Sequence, residues 1–423
     1  MNERKSMAAV DISEKPNAIL TTTELFTDGS AIEQLRDKML VYWRDGEEIV
    51  GPVVEHSGNL YAAMPLDPSL EEMLHLPSCS EDFGSVQDLI TKLEQATGDH
   101  LELDEKTKLL VAAAVANTWV SDCGPVFNPW GPAGAGNALM ELLSCVCRRP
   151  LSLVRPSLRE LSRLPRGLSP TLILRSANRH TLSPLLEATS EPGAAVLHKG
   201  RLVNLRCAII AYTREPLGLP ACSVPLFAMG ACRRLSASER QALIDYFQPR
   251  LLAYRLRQHR QVADSQFSAP SFAPETRILA EALGAAVEGA PGIQARILRA
   301  LTEMDEQRLV EHSQTLAAVV LEALLLACHE NRSAIYVGDV TKVANGIFLG
   351  RHEDVELSPK RVGGILSGDL GLSSTRCSGG YEVVLDSHAR QRIHRLSADY
   401  GTLSTLQPFP NCRFCDEPKE HTT

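Results

Sequence analysis

A glycine-rich turn set between a short apolar segment and a helix constrains this chain more than any other feature. Residues 131–138 read Gly-Pro-Ala-Gly-Ala-Gly-Asn-Ala. Gly131, Gly134 and Gly136 fall where a phosphate-cradling loop needs residues without side chains, so that backbone amides can approach an anion. Such a loop continues with a Lys that reaches the β- and γ-phosphates and a Ser or Thr whose hydroxyl holds Mg²⁺. Here Asn137 and Ala138 stand in those two positions. Residues 125–130 read as a strand, and residues 138–147 as a helix through Leu139, Leu142, Leu143 and Val146. Strand, glycine turn and helix in that order give the glycine match its weight.

Two further buried strands are expected, at residues 171–174 (Thr-Leu-Ile-Leu) and 207–211 (Cys-Ala-Ile-Ile-Ala), with a helix near 182–189 between them. Short continuous apolar runs bounded by turns suit a central parallel sheet, and their alternation with helices indicates an α/β layer architecture. Upstream, residues 48–63 read as a hairpin through Ile49, Val53, Val54, Leu60, Tyr61 and Ala62. Residues 84–96 and 104–120 read as helices. Downstream of Pro249 the pattern is helical, with elements at 275–289, 292–302 and a long or kinked one at 306–329.

A chain of 423 residues is long enough for two to four domains. The reading divides it into a disordered leader (1–20), a small acidic α/β module (21–100), a nucleotide-loop domain (101–265), a helical region (270–330), a last small domain (331–402) and a flexible tail (403–423). The net charge of −8 conceals a segregation: residues 1–100 hold 7 Lys/Arg against 19 Asp/Glu, whereas residues 151–260 hold 17 against 6. Either the two segments pack on each other, or the basic one attracts a polyanion. No apolar run approaches the ~20 residues that span a bilayer, so no membrane partner is expected and a cytoplasmic location is. The 11 cysteines are scattered, an odd count at irregular spacing that fits reduced thiols. Cys412 and Cys415 form a C-x-x-C pair with only His421 near it in sequence. Because a zinc site needs four ligands, no metal is expected and the pair reads as exposed and unstructured.

In residues 331–402, residues 340–350 read as one helix, and Ser358-Pro359 starts a second with Ser as cap and Pro in the first turn. A β-ribbon follows, residues 374–385 turning at Gly379-Gly380. Helix, turn, helix and ribbon make a winged helix, in which Lys360 and Arg361 on the second helix and Arg376 on the ribbon are the candidates for nucleic-acid contact. The domain is close to electroneutral, and winged helices also bind protein. His180 has no Ser or Cys nucleophile with a matching acid nearby, and Asp386-Ser387-His388 reads as a helix cap, so no catalytic residue is assigned.

With these residues in place, the chain resembles bacterial and phage-type replication ATPases of the P-loop class. The resemblance covers about residues 105–400 and rests on the order of elements. It implies a fold of class α/β: a P-loop NTPase-like parallel sheet with an N-terminal α/β module, a helical region and a C-terminal winged-helix domain. It also implies a nucleotide site at Gly131, Gly134, Gly136, Asn137 and Ala138, completed by strand-end residues at Arg175 and Ser176 and by a polar sensor at Thr213. In that family the strand of residues 170–174 ends in an acidic pair, and Arg175-Ser176 replaces it here. Lysine, hydroxyl, metal-supporting acid and base are thus all absent, and phosphoryl transfer rests on positioned charge. The expected protein is a non-hydrolysing P-loop-like pseudoenzyme without a cofactor, serving as an assembly or nucleic-acid-associated subunit. Its partners would be DNA, a protein or a second copy of itself. Two alternatives stay open: an ATP-binding enzyme with a rearranged site using Arg175 and Arg179, and a winged-helix DNA-binding regulator. The turn itself could retain an anion on its amides or be a plain structural turn.

Overall fold

The computed structural model describes residues 18–402 and 412–416, apart from 122–123, 155, 166, 176–178, 190–194, 199–200, 216–220 and 227–231. Most of the expected leader and of the expected tail therefore lies outside the described residues, and the last leader positions, Ile19 and Leu20, belong to a strand instead. Two compact units emerge: residues 1–269 with 275–300, and residues 270–274 with 301–423.

The first unit opens with seven short strands: β1 (Ile19–Thr21), β2 (Thr23–Leu25), β3 (Ala31–Gln34), β4 (Leu40–Arg44), β5 (Glu47–Gly51), β6 (Val53–His56) and β7 (Asn59–Ala63). They form a four-stranded sheet β2-β3-β4-β5 and a three-stranded sheet β1-β7-β6. The hairpin expected over 48–63 is shorter than the sequence indicated. Only β6 and β7 pair around Ser57-Gly58, while Ile49 pairs with Tyr42 in the neighbouring sheet. The break falls at Gly51-Pro52, where proline removes a ladder donor. Helices α1 (Pro68–Leu74), α2 (Val86–His100) and α3 (Glu105–Val120) follow. A Ser85–Asp88 capping box starts α2, and Asp104 caps α3. Buried residues ring α3 on all sides, which marks a helix enclosed by its neighbours.

The core of this unit is a five-stranded sheet made of β8 (Val126–Trp130), β9 (Pro150–Leu153), β10 (Thr171–Leu174), β13 (Ala208–Ala211) and β14 (Ala221–Pro225). Between them lie α4 (Ala133–Val146), α5 (Leu158–Leu161), α6 (Arg179–Thr189) and the two-stranded ribbon β11 (Val196–His198)–β12 (Arg201–Val203). Every pairing in the sheet is parallel, and the spatial order is β14-β8-β13-β10-β9. From β8 the chain runs through α4 to the far edge at β9, steps back through β10 to β13 beside β8, and then reaches β14 on the other side of β8. Right-handed crossovers that reverse direction place their helices on opposite faces. Accordingly, Leu172, Leu174 and Ile209 on one face pack with Leu161 of α5 and with Leu182 and Leu185 of α6. The other face belongs to α4, and α3, α4 and α7 (Ala237–Ala263) lock to one another by side-chain-to-backbone bonds. Trp119 Nε1 donates to the Val146 carbonyl at 2.9 Å, and Gln248 Nε2 donates to the Cys145 carbonyl at 2.7 Å. Each fully buried Leu or Ile of these strands contributes about 1.5–3 kcal/mol. That burial explains why β10 and β13 are continuous apolar runs.

The segregated charges meet inside this unit. Glu33 on β3 is buried, and its two carboxylate oxygens accept from three guanidinium groups: Arg148 Nη2 at 2.9 Å, Arg149 Nη2 at 2.6 Å and Arg255 Nε at 2.5 Å. Arg148 and Arg149 precede β9, and Arg255 lies on α7. Burial alone would push the Glu33 carboxyl up, but the Coulombic pull of the three arginines outweighs it and holds the group well below the usual carboxylate range. Arg250 and Arg257 pair with Glu81 and Asp82 at 3.0 and 2.6 Å. At these positions the acidic and basic segments pack on each other.

The unit closes with α8 (Pro274–Ala286) and the start of α9 (Pro291–Ser313). The long element expected over 306–329 is two helices: α9 ends at Ser313, and Thr315 caps α10 (Leu316–His329) by accepting from the Ala318 amide.

In the second unit, α10 leads to β15 (Ala334–Tyr336), α11 (Val337–Gly350), α12 (Pro359–Gly364) with a π-helical turn over Ile365–Asp369, β16 (Thr375–Cys377) and β17 (Gly380–Val384). Then come α13 (Ser387–Asp399) and α14 (Arg413–Asp416). The strands form an antiparallel sheet β15-β17-β16 over a core that includes Leu324, Val340, Phe348, Leu366, Val383 and Ile393. Ser358 caps α12 and Asp386 caps α13, through the Arg361 and Ala389 amides. No helix among the described residues is long and apolar enough to cross a membrane.

Candidate functional site

In an open parallel sheet, ligands bind beyond the carboxyl ends of the strands, at the point where the strand order reverses. Here that point is the end of β8, flanked by β13 and β14, and the glycine turn sits on it. Its conformation differs from the expected one. The helix begins at Ala133, five residues earlier than the apolar spacing predicts, so Gly134 and Gly136 lie inside α4. The Gly136 amide donates to the Pro132 carbonyl at 3.0 Å as an ordinary helical bond. Only Gly131 has an unusual backbone, with φ of 139°, and a Cβ there would stand 3.2 Å from the Leu226 carbonyl. The turn is pinned on both sides: the Gly131 amide donates to the Thr213 carbonyl at 3.2 Å, and the Leu226 amide to the Trp130 carbonyl at 2.7 Å.

Tyr212, at the end of β13, fills the space beside the turn. A Cβ on Gly136 would lie 2.1 Å from Tyr212 Cε2, so the ring rests directly on the glycine. The Tyr212 hydroxyl donates to the Gly131 carbonyl at 2.8 Å. Burial raises the Tyr212 phenol above its ordinary value and keeps it a neutral donor. The turn thus offers a carbonyl to a phenol rather than a concave nest of amides to an anion. Asn137 is exposed, and Ala138 is buried in the helix interface.

The remaining residues assigned to this site divide. Thr213 stays at the turn: its hydroxyl accepts from Asn128 Nδ2 at 2.9 Å and donates to the Glu215 carbonyl at 2.6 Å. Asn128, on β8 and fully buried, also donates to the Ala211 carbonyl at 2.7 Å and so ties β8 to β13. The sequence reading missed it because a single Asn within an apolar segment carries no motif. Arg175 does not join the turn. Its Nε donates to Ser152 Oγ on β9 at 3.1 Å, toward the edge of the sheet, while β13 separates β10 from β8. Ser176 and Asn178, with the side chains of Arg179 and His180, lie outside the described residues.

The second unit carries a groove of ≈ 760 Å³ between the start of α11, α12 and the β16–β17 ribbon. Tyr336, Lys342, Lys360 and Tyr381 line it. Both tyrosines are exposed, and Lys342 pairs with Asp339 at 3.0 Å. Lys360, Arg361 and Arg376 are all exposed, and the Arg376 backbone pairs with Tyr381 across the ribbon.

The C-x-x-C pair is not isolated. Cys412 and Cys415 flank and enter α14 beside His329 and His394, and one ligand atom from each of the four residues lies within 4.8 Å of all the others. The expectation of no metal rested on the lack of sequence neighbours. The fold supplies two histidines from distant positions.

No protein-family model matches the chain, and no curated protein matches it. Among solved structures, the apo A form of the NrS-1 C-terminal region covers 85% of this chain and 96% of its own, with 10% identity and a TM-score of 0.32. Drosophila ORC bound to DNA covers 81% and 96%, with 12% identity and a TM-score of 0.20. Cdc6p from Pyrobaculum aerophilum covers 81% and 99%, with 12% identity and a TM-score of 0.18. At these TM-scores the likeness carries no argument about residues or chemistry.

Proposed function

We propose that the chain is a non-hydrolysing, P-loop-ATPase-like protein that works as a nucleic-acid-associated subunit. One observation carries the first half: the glycine turn stands at the switch point of a parallel sheet, with the Tyr212 ring packed on Gly136 and its hydroxyl bonded to the Gly131 carbonyl. The Lys and hydroxyl that catalysis needs are Asn137 and Ala138, and Arg175 is engaged with Ser152. Architecture without positioned charge supports assembly rather than turnover. Titration calorimetry with ATP, ADP or GTP, with or without Mg²⁺, should give no binding heat. Asn137→Lys with Ala138→Thr should not restore it, because the helix has consumed the loop and Tyr212 still closes the turn. Micromolar binding by either protein would sink this reading.

For the second half, the element order α10-β15-α11-α12-β16-β17 with its three-stranded antiparallel sheet supports a winged helix. Helix α12 would enter a groove of the duplex, and the β16–β17 ribbon would lie on the backbone. Lys360, Arg361 and Arg376 supply phosphate contacts, and the exposed rings of Tyr336 and Tyr381 supply flat apolar surface beside them. Duplex binding read by fluorescence anisotropy should weaken with salt. Lys360→Ala with Arg361→Ala should cut the slope of log K against log salt by about 1.8, two phosphate contacts at ~0.9 each. An unchanged slope, or no binding by the native chain at low salt, would favour a protein partner for this surface.

A further inference from the structure

The cluster of His329, His394, Cys412 and Cys415 is independent of the nucleotide turn and of the basic groove. We infer that these four side chains form a structural zinc site that clasps the C-terminal segment to the second unit. The donor set is the first argument. Two thiolates and two imidazoles suit a borderline-soft ion in tetrahedral geometry, the S₂N₂ arrangement that selects zinc among divalent metals. Geometry is the second. Zinc bonds of about 2.3 Å to sulfur and 2.0–2.1 Å to nitrogen set tetrahedral edges of roughly 3.3–3.8 Å. Here His329 Nε2 lies 3.2 Å from Cys415 Sγ, His394 Nε2 lies 3.2 Å from Cys412 Sγ, and all four ligand atoms fall within 4.8 Å of one another. Opening the two 3.2 Å pairs slightly and drawing the wider pairs in would complete the tetrahedron.

The surroundings fit ligation as well. His394 is buried on α13, and its Nδ1 donates to the Arg390 carbonyl at 2.8 Å. That bond fixes the tautomer and leaves Nε2 with a lone pair aimed at the cluster, the arrangement that metal-binding histidines use. His329 is the last residue of α10, so its ring projects from a helix end. The Cys415 amide donates to the Cys412 carbonyl at 3.0 Å, a tight turn that brings both sulfurs to one side. Phe414, between them, has its ring centroid 5.6 Å from that of His394.

The site has a structural rather than catalytic character. Four protein ligands fill a tetrahedral ion and leave no position for water or substrate. The ion would join the end of α10, the middle of α13 and the segment that follows residue 411. Such a clasp closes a long loop of chain, where cross-links constrain the unfolded state most. Binding also requires deprotonated thiols, so loading releases protons and weakens in acid.

The test uses the full-length chain, expressed with added zinc and purified without chelator. Elemental mass spectrometry should find about one zinc per chain, and Cys412→Ser with Cys415→Ser should carry none. Cys377→Ser, on the exposed ribbon, should keep its zinc. Replacement by Co²⁺ should give visible d–d bands and a near-ultraviolet thiolate charge-transfer band in the native protein. A second reading needs no variant: alkylation mapped by peptide mass spectrometry should spare Cys412 and Cys415 until a strong zinc chelator is added, then label both. Zinc-free native protein, equal labelling of the two thiols with and without chelator, or a Cys412–Cys415 disulfide in zinc-supplemented protein would each overturn the inference.

Discussion

Glu33→Gln is expected to lower the stability of the first unit by about 3–5 kcal/mol, the range for removing one partner from a buried ion cluster. The amide keeps the shape of the carboxylate but not its charge. Arg148, Arg149 and Arg255 would then stand together in the interior with no counter-charge from Glu33. Domains are stable by only about 5–15 kcal/mol, so the variant should unfold at a markedly lower denaturant concentration at neutral pH. The same carboxylate predicts an acid response. Its folded pKa lies below the unfolded value of 4.5. The stability it contributes is therefore whole above that value and is lost as pH falls below it. Denaturation midpoints of the native chain should drop between pH 5 and pH 3 faster than those of Glu33→Gln, whose unfolding lacks that proton uptake. Equal pH slopes for the two proteins would show that the carboxylate does not carry the cluster.

Gly136→Ala should cost about 1–3 kcal/mol, the usual range for a core forced to take an extra methyl group. The new Cβ would fall 2.1 Å from Tyr212 Cε2 and 2.4 Å from its Cζ, closer than any real contact. The ring has to leave, and its hydroxyl bond to the Gly131 carbonyl leaves with it. Because the cost belongs to the pair, a double-mutant cycle identifies it. In a Tyr212→Ala background the three atoms nearest the added methyl group are gone, and Gly136→Ala should then be close to neutral by thermal or denaturant unfolding. A cost that persists without the ring would mean that Gly136 is needed for some other reason, such as a ligand at the turn.

Much of the sheet was legible because its strands are short apolar runs that helices cover on both faces. Thr171–Leu174 and Ala208–Ala211 emerge at the expected places. Strand β9 did not announce itself, since Pro150-Leu-Ser-Leu follows two arginines, and the buried Glu33, with the carbonyls of Ser169, Leu168 and Thr22, explains how such residues can enter a core. Apolar spacing sets the start of α4 five residues late because periodicity counts apolar side chains, and Ala133, Gly134, Ala135 and Gly136 offer few. Gly136, which reads as part of a cradle, is a contact surface for one tyrosine, a role that depends on a residue 76 positions away and is invisible locally. The metal-type cluster was hidden for the same reason. C-x-x-C is a local pattern, whereas His329 and His394 reach it only when α10 and α13 are assembled.

The buried ion cluster also governs how the chain must be made. Glu33 emerges from the ribosome 222 residues before Arg255. At synthesis rates of about 5–20 residues per second that interval is roughly 10–45 s. Until α7 is synthesised, β3 holds a carboxylate whose third guanidinium does not yet exist, so the amino-terminal sheets cannot reach their final packing as they appear. Completion of the cluster is therefore deferred, and a nascent chain stalled before residue 148 holds the Glu33 carboxylate without any of its three guanidinium partners.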